Sequence, residues 1–207
     1  MAIFVRERFD RVALRGFLTL GLLGGLFSSV MGPIRATRDE MLFWTGSVGY
    51  ATQFPEDERV RPRDGASFTW DGDLDVSLDE PDIGLKLLAA LPGSLAALAI
   101  AVVCMLLLLV VLDTHHGQPF LSDNARRLRG VAFVIFFAAV LIPLAHAWAN
   151  QEIMTAAVQP EGREFSGLFD FELGTTVQWS LVGLFVLTIA EVFRIGSRLA
   201  DDVEGLV

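Results

Sequence analysis

Apolar residues along this chain gather into four blocks and leave charge to the segments between them. Gly16–Ile34, Leu87–Leu112, Gly130–Ala149 and Leu173–Ala190 hold no Asp, Glu, Lys or Arg. A soluble domain spreads its apolar positions at periods of 2 or 3.6 instead. A helix of roughly 20 apolar residues spans the ~30 Å hydrocarbon layer of a bilayer. The pattern therefore predicts an all-α membrane protein, a four-transmembrane-helix bundle treated as one domain over residues 1–207. The predicted helices cover about 12–34, 87–112, 126–149 and 174–199. At ~1.5 Å rise per residue the second block is about 39 Å long, so that helix tilts or projects. Arg6, Arg8, Arg11 and Arg15 precede the first block as in a signal peptide. That block exceeds the ~7–15 residue signal core, and Gly32-Pro33-Ile34-Arg35 is no small-x-small cleavage site, so an uncleaved helix is expected.

Charge orients the helices. Arg and Lys stay on the cytoplasmic side of short loops. The N-terminal arginines, the cluster Arg126, Arg127 and Arg129, and the pair Arg194 and Arg198 put both termini in the cytoplasm. Residues 150–172 carry only Arg163 against Glu152, Glu161, Glu164, Asp170 and Glu172, as an outward loop does. Trp148 and Trp179 then fall on the outer face, where an aromatic belt is expected. The localisation that follows is a multi-pass protein of the cell (inner or plasma) membrane, with the lipid bilayer as its first partner. The net charge of -9 argues against direct nucleic-acid binding. The single cysteine, Cys104, excludes an internal disulfide or a dithiol couple.

Residues 35–86 form the one sizeable outer loop. Met41–Trp44 and Tyr50 read as an interfacial stretch, and Phe54-Pro55-Glu56-Asp57-Glu58 as a breaker and charge run. Ala66–Trp70 and Leu74–Leu78 alternate with period 2 and predict a small extracytoplasmic β-hairpin over 66–78. A two-residue loop would set Trp70 opposite Asp73. A three-residue loop pairs Trp70 with Leu74, Phe68 with Val76 and Ala66 with Leu78. The second register keeps one apolar face and is the expected one. Asp71, Asp73 and Asp75 alternate like calcium ligands, but positions six and twelve counted from Asp71 are Val76 and Asp82, not the Gly and Glu of an EF-hand. They read as a solvated strand face. No metal and no cofactor is expected.

Gly117 and Pro119 stop the second helix, Ser122 or Asp123 caps the third, and Asn124–Arg129 make its basic first turn. Gly21, Gly25, Ser29 and Gly24, Ser28, Gly32 form two small-residue rows for close helix packing. Intramembrane polar candidates are Glu191, Arg194, Arg15 and His146. Glu191 near the end of the fourth helix is expected to pair with Arg194 at i+3 or with Arg15. His146 stands alone, without the second ligand that a metal needs. No phosphate loop, no Ser-His-Asp set and no His-Glu-His helix is present, so an enzyme is not expected.

The run Gly117-x-Pro119-Phe120-x-Ser122-x-Asn124-x-x-Arg127-Leu128-Arg129 and the ending Gly196-x-x-Leu199-x-x-Asp202-Val203-Glu204-Gly205-Leu206-Val207 resemble the bacterial membrane-protein family grouped as domain of unknown function 2975. The resemblance implies four membrane helices, no catalytic residues, and genes that neighbour a small helix-turn-helix regulator. Its motif residues Gly117, Pro119, Phe120, Ser122, Asn124, Arg127, Asp202 and Glu204 lie on the cytoplasmic side. They are the expected docking surface for a small cytosolic partner such as that regulator, making a non-enzymatic regulatory or interaction protein. A homo-oligomer packed through the glycine rows is the other partner expectation. The alternative function is a small transporter or a channel or efflux subunit using Glu191, His146, Gln178 and Thr188.

Overall fold

The computed structural model describes residues 2–46, 63–70, 74–115, 122–157 and 173–204. Helix α1 spans Ala2–Arg38, α2 Ile83–His115, α3 Ser122–Ala157 and α4 Leu173–Glu204. Strands β1 (Met41–Gly46), β2 (Ala66–Trp70) and β3 (Leu74–Asp79) lie between α1 and α2 in sequence. Each helix is long and apolar enough to cross a bilayer. The chain divides into two compact units.

The helical unit holds residues 1–29, 96–140 and 174–207. Its large apolar side chains point outward: Phe17 is 73% exposed, Leu20 71%, Phe137 62% and Phe185 66%. Most of its buried side chains are small, with Ala101, Cys104, Ala125, Ala132, Ala139 and Ala190 buried beside Leu18, Leu128 and Val131. This inverts the rule for water-soluble domains. It is the build of a multi-pass membrane protein, in which helices attract one another by close approach. The contacts show how close. A Cβ added at Gly25 would sit 2.7 Å from the carbonyl oxygen of Ala97 and 3.0 Å from the Ala101 Cβ. One added at Gly21 would sit 2.6 Å from the Cys104 Sγ. The row Gly21–Gly25 is therefore the seam between α1 and α2. Gly24, on the other row, has open space around it. Gly183 lets α4 approach the α3 backbone at Ala132 and Phe136, and Gly130 lies against Leu106 of α2.

The sheet unit holds residues 30–95 and 141–173. Its sheet is antiparallel with order β1-β3-β2. The expected hairpin is thus one half of a larger sheet. Met41–Trp44, read from sequence as part of an interfacial stretch, belongs instead to a third strand, Met41–Gly46. Its Leu42 and Trp44 alternate with Met41 and Phe43, a period-2 signal in a segment short enough to read either way. Between β2 and β3 the register sets Ala66 against Leu78, Phe68 against Val76 and Trp70 against Leu74, the pairing of a three-residue loop. Leu42 lies opposite Leu78, and Trp44 opposite Val76. One face is consequently apolar throughout. It packs on Ala149, Ile153, Met154 and Ala157 of α3, with Leu85, Leu88 and Ala89 of α2 at its margin. On the other face the Ser67 and Ser77 hydroxyls bond across the strands at 2.7 Å.

Backbone contacts fasten this unit at its corners. The Asp82 carboxylate accepts from the Gly84 N–H at 2.9 Å, starting α2 as an N-cap residue does. Lys86 donates to the Asp39 carbonyl at 2.5 Å, a cation at the end of α1. The Arg63 N–H donates to the Ala157 carbonyl at 2.8 Å, tying the approach to β2 to the last turn of α3. Helix α3 runs past Ala149, where its apolar block ends, because Asn150, Ile153, Met154 and Ala157 meet the sheet on one helical stripe.

Gly25→Val should weaken the α1–α2 seam, since the added atoms meet backbone. Gly24→Val should be neutral there, since nothing opposes it. Thermal unfolding in detergent micelles should show a lowered midpoint for the first variant only. Equal midpoints would show that the seam does not depend on close approach.

Candidate functional site: a polar clamp between two helix ends

Helix α2 ends at His115 and α3 begins at Ser122, so each brings one polar turn to the same end of the helical unit. On α2, Leu109 and Asp113 are one turn apart. On α3, Asn124 and Arg127 are i, i+3 neighbours and share a face. The Arg127 Nη1 joins all four. It forms a salt bridge to Asp113 and donates to the Asn124 Oδ1 at 3.1 Å and to the Leu109 carbonyl at 3.3 Å. Asn124 is fully buried, and the Asp113 and Arg127 side chains are only 27% and 25% exposed. A charge-assisted bond in such a setting is stronger than one in open water. The cluster pins the start of α3 to the end of α2.

Two of the docking residues named from sequence, Asn124 and Arg127, are therefore brought together, and Arg127 reaches α2. Ser122 opens α3, and Asp202 and Glu204 lie in the last turn of α4. Gly117, Pro119 and Phe120 lie outside the described residues, as do Tyr50, Phe54–Glu58 and two of the three alternating aspartates, Asp71 and Asp73. Asp75 is exposed on β3, opposite Thr45 and Thr69. Sequence reasoning did not single out Asp113. It is the first charge after the second apolar block, and the fold brings it to Arg127 of the arginine cluster.

The other polar groups are distributed rather than convergent. Glu191 pairs with Arg194 along α4, the Arg194 Nε lying 3.0 and 2.9 Å from the two carboxylate oxygens. The order Glu before Arg at i, i+3 is the favoured one on a helix. The Arg15 Nε is buried without a hydrogen-bond partner among the described residues. His146 belongs to the sheet unit, where its ring lies 4.8 Å from that of Trp44 and tilted by 37°. Trp44 Nε1–H in turn donates to the buried Asn150 Oδ1 at 3.1 Å. His146 and Asn150 are one helical turn apart, so both meet Trp44 from the same stripe of α3. Neither Trp44 nor Asn150 was legible as a polar contact, because the strand that carries Trp44 was not. Helix hydroxyls bond their own backbone: Thr19 to Arg15, Ser94 to Ala90 and Thr188 to Leu184, at 2.7–3.0 Å.

A family model described as a protein of unknown function (DUF2975) matches residues 50–206. The match takes in β2, β3, the clamp and the last three helices, well beyond the two motifs that carry the resemblance. No curated protein and no solved structure matches the chain.

Removing the clamp with Arg127→Ala should cost about 1.5–3 kcal/mol, the worth of hydrogen bonds to a charged group. The exchange Asp113→Arg with Arg127→Asp should restore part of it. A double-mutant cycle on chemical unfolding in micelles measures the coupling. Additive losses would mean that the two side chains act independently.

Proposed function

We propose that this chain, which belongs to the DUF2975 family of proteins of unknown function, is a non-enzymatic interaction protein of the cytoplasmic membrane. It crosses the bilayer four times, keeps both termini in the cytoplasm, and docks a small cytosolic protein where α2 gives way to α3. The observation that carries this reading is the Arg127 clamp. A link that merely returns the chain to the membrane needs a stop and a cap. It does not need an arginine, an aspartate and a buried asparagine gathered on one nitrogen. Such a network holds the two helix ends at one spacing, and with them the anchor points of the segment that carries Gly117, Pro119 and Phe120. Rigid anchor points lower the ordering cost of binding.

Asn124 and Arg127 are, on this reading, positioning residues. Gly117, Pro119, Phe120 and Ser122 supply the contact surface, with Asp202 and Glu204 as its acidic flank. Acidic side chains suit a basic partner, and the family resemblance implies a small helix-turn-helix regulator as that partner. The excess of arginine in the segments around residues 1–15, 126–129 and 194–198 supports a cytoplasmic position for this surface.

Orientation is tested with cysteine probes. Cys104 is buried, so Cys104→Ala provides a thiol-free background. A membrane-impermeant maleimide applied to intact cells should label Asp75→Cys, and should label Asp10→Cys only after permeabilisation. The reverse pattern would invert the topology and remove the docking surface from the cytoplasm. Docking is tested by affinity capture from crosslinked native membranes. Phe120→Ala and Arg127→Ala should each release the partner, and the Asp113/Arg127 exchange should recover it. A partner retained by both single variants would sink the docking assignment. One lost equally in the exchange would make Arg127 a direct contact.

A further inference from the structure

At the margin of the sheet unit an open groove of about 470 Å³ runs between the first turns of α2 and the last turns of α3. Its floor is Leu85 and Leu88, and one wall is Trp148, which is 54% exposed. Its rim carries both signs of charge: Arg63 on one hand, Asp82 and Glu152 on the other. Among the described residues Arg63 and Glu152 make no ion pair, although they line the same groove. Asp82 is already engaged as the cap of α2 through Gly84. Among the described residues the groove thus offers an unpaired guanidinium, an unpaired carboxylate, an aromatic wall and an aliphatic floor. All of it lies where two apolar spans, Ile83–Asp113 and Asp123–Ala157, reach their ends.

The geometry points to a binding site for a lipid headgroup that carries a phosphate and a primary ammonium, a phosphoethanolamine headgroup, with the upper part of an acyl chain along Leu85 and Leu88. Arg63 takes the phosphate, since a guanidinium presents several donors to phosphate oxygens. Glu152 takes the ammonium, whose three N–H donors suit a carboxylate. Trp148 lies against the glycerol and upper acyl region, as interfacial tryptophans do. Competing occupants satisfy only part of this set. A purely anionic headgroup meets Glu152 as a like charge. A quaternary ammonium has no N–H to donate. A free cation meets Arg63. A small soluble zwitterion leaves the aliphatic floor uncovered. The inference rests on the reading that the helices span a bilayer.

The test uses the full-length protein. Flotation with vesicles of phosphatidylethanolamine, phosphatidylcholine or phosphatidylglycerol, each blended into one neutral carrier lipid, reads membrane association. Native mass spectrometry of the micelle-solubilised protein, offered the three lipids in equal amounts, reads headgroup choice. The protein should float with all three blends and retain the ethanolamine lipid about tenfold over the other two, the discrimination expected of one charge-assisted contact. Glu152→Gln should abolish the preference over the choline lipid. Arg63→Ala should lower retention of every phospholipid, while its backbone bond to Ala157 remains. Equal retention of the three lipids by a protein that floats would overturn the site alone, as would a preference that survives Glu152→Gln. A protein that floats with no blend overturns the membrane reading, and the site with it.

Discussion

In a helical unit whose large apolar side chains point outward, helices have little reason to prefer one another over an apolar surrounding. Close approach is what remains to hold them. Gly21 and Gly25 let α1 settle onto the Cys104–Ala101 face of α2, and Gly183 does the same for α4 on α3. The rest of the unit follows from this constraint. Seams that narrow have no room for bridging polar side chains. Outside the seams, the exposed Thr19 and Thr188 hydroxyls bond their own helix carbonyls, and Glu191 finds its guanidinium on its own helix. At the helix ends, where the seam opens, a network across two helices forms. That is where Arg127 sits.

The sheet unit obeys the opposite rule. Its interior is made of Trp44, Val76, Leu78, Ile153 and Met154, large side chains packed as in a water-soluble core. The buried Asn150 is satisfied by Trp44, as burial demands. Helix α3 belongs to both units and changes rule along its length. Between Ala125 and Ala139 its buried positions are mostly alanine. From Ala149 to Ala157 they include Ile153 and Met154. The first stretch must let a helix come near. The second must fill the space beneath a sheet.

Both proposed sites lie where apolar spans end. The clamp gathers the charges of one end into a fixed arrangement. The groove leaves charges of both signs open toward an apolar floor. Polar groups inside an apolar span are consumed locally, and those at its ends are free to be used. Intramembrane ionisable residues are the ordinary candidates for function in membrane proteins. Here Glu191 is paired along its own helix, and both proposals rest on groups at the span ends.

The sequence by itself determined the four helices. Apolar block length and the backbone's need for internal hydrogen bonds leave no other spanning structure. It also determined the register of β2 on β3, because only the odd loop gathers Ala66, Phe68, Val76 and Leu78 on one face. The family was legible in Gly117-x-Pro119-Phe120 and the residues after it. Tertiary structure alone decided that Met41–Gly46 is a strand, since six residues with two apolar alternations commit to a sheet only when β3 offers an edge. It decided that α3 continues to Ala157, because that turn is stabilised by the sheet it covers. It decided which glycine row is a seam, for Gly24 and Gly25 are neighbours in sequence and differ only in what stands opposite. And it turned Arg127 from a surface charge into a clamp, because its partners Asp113 and Leu109 lie on another helix, where no local pattern reaches.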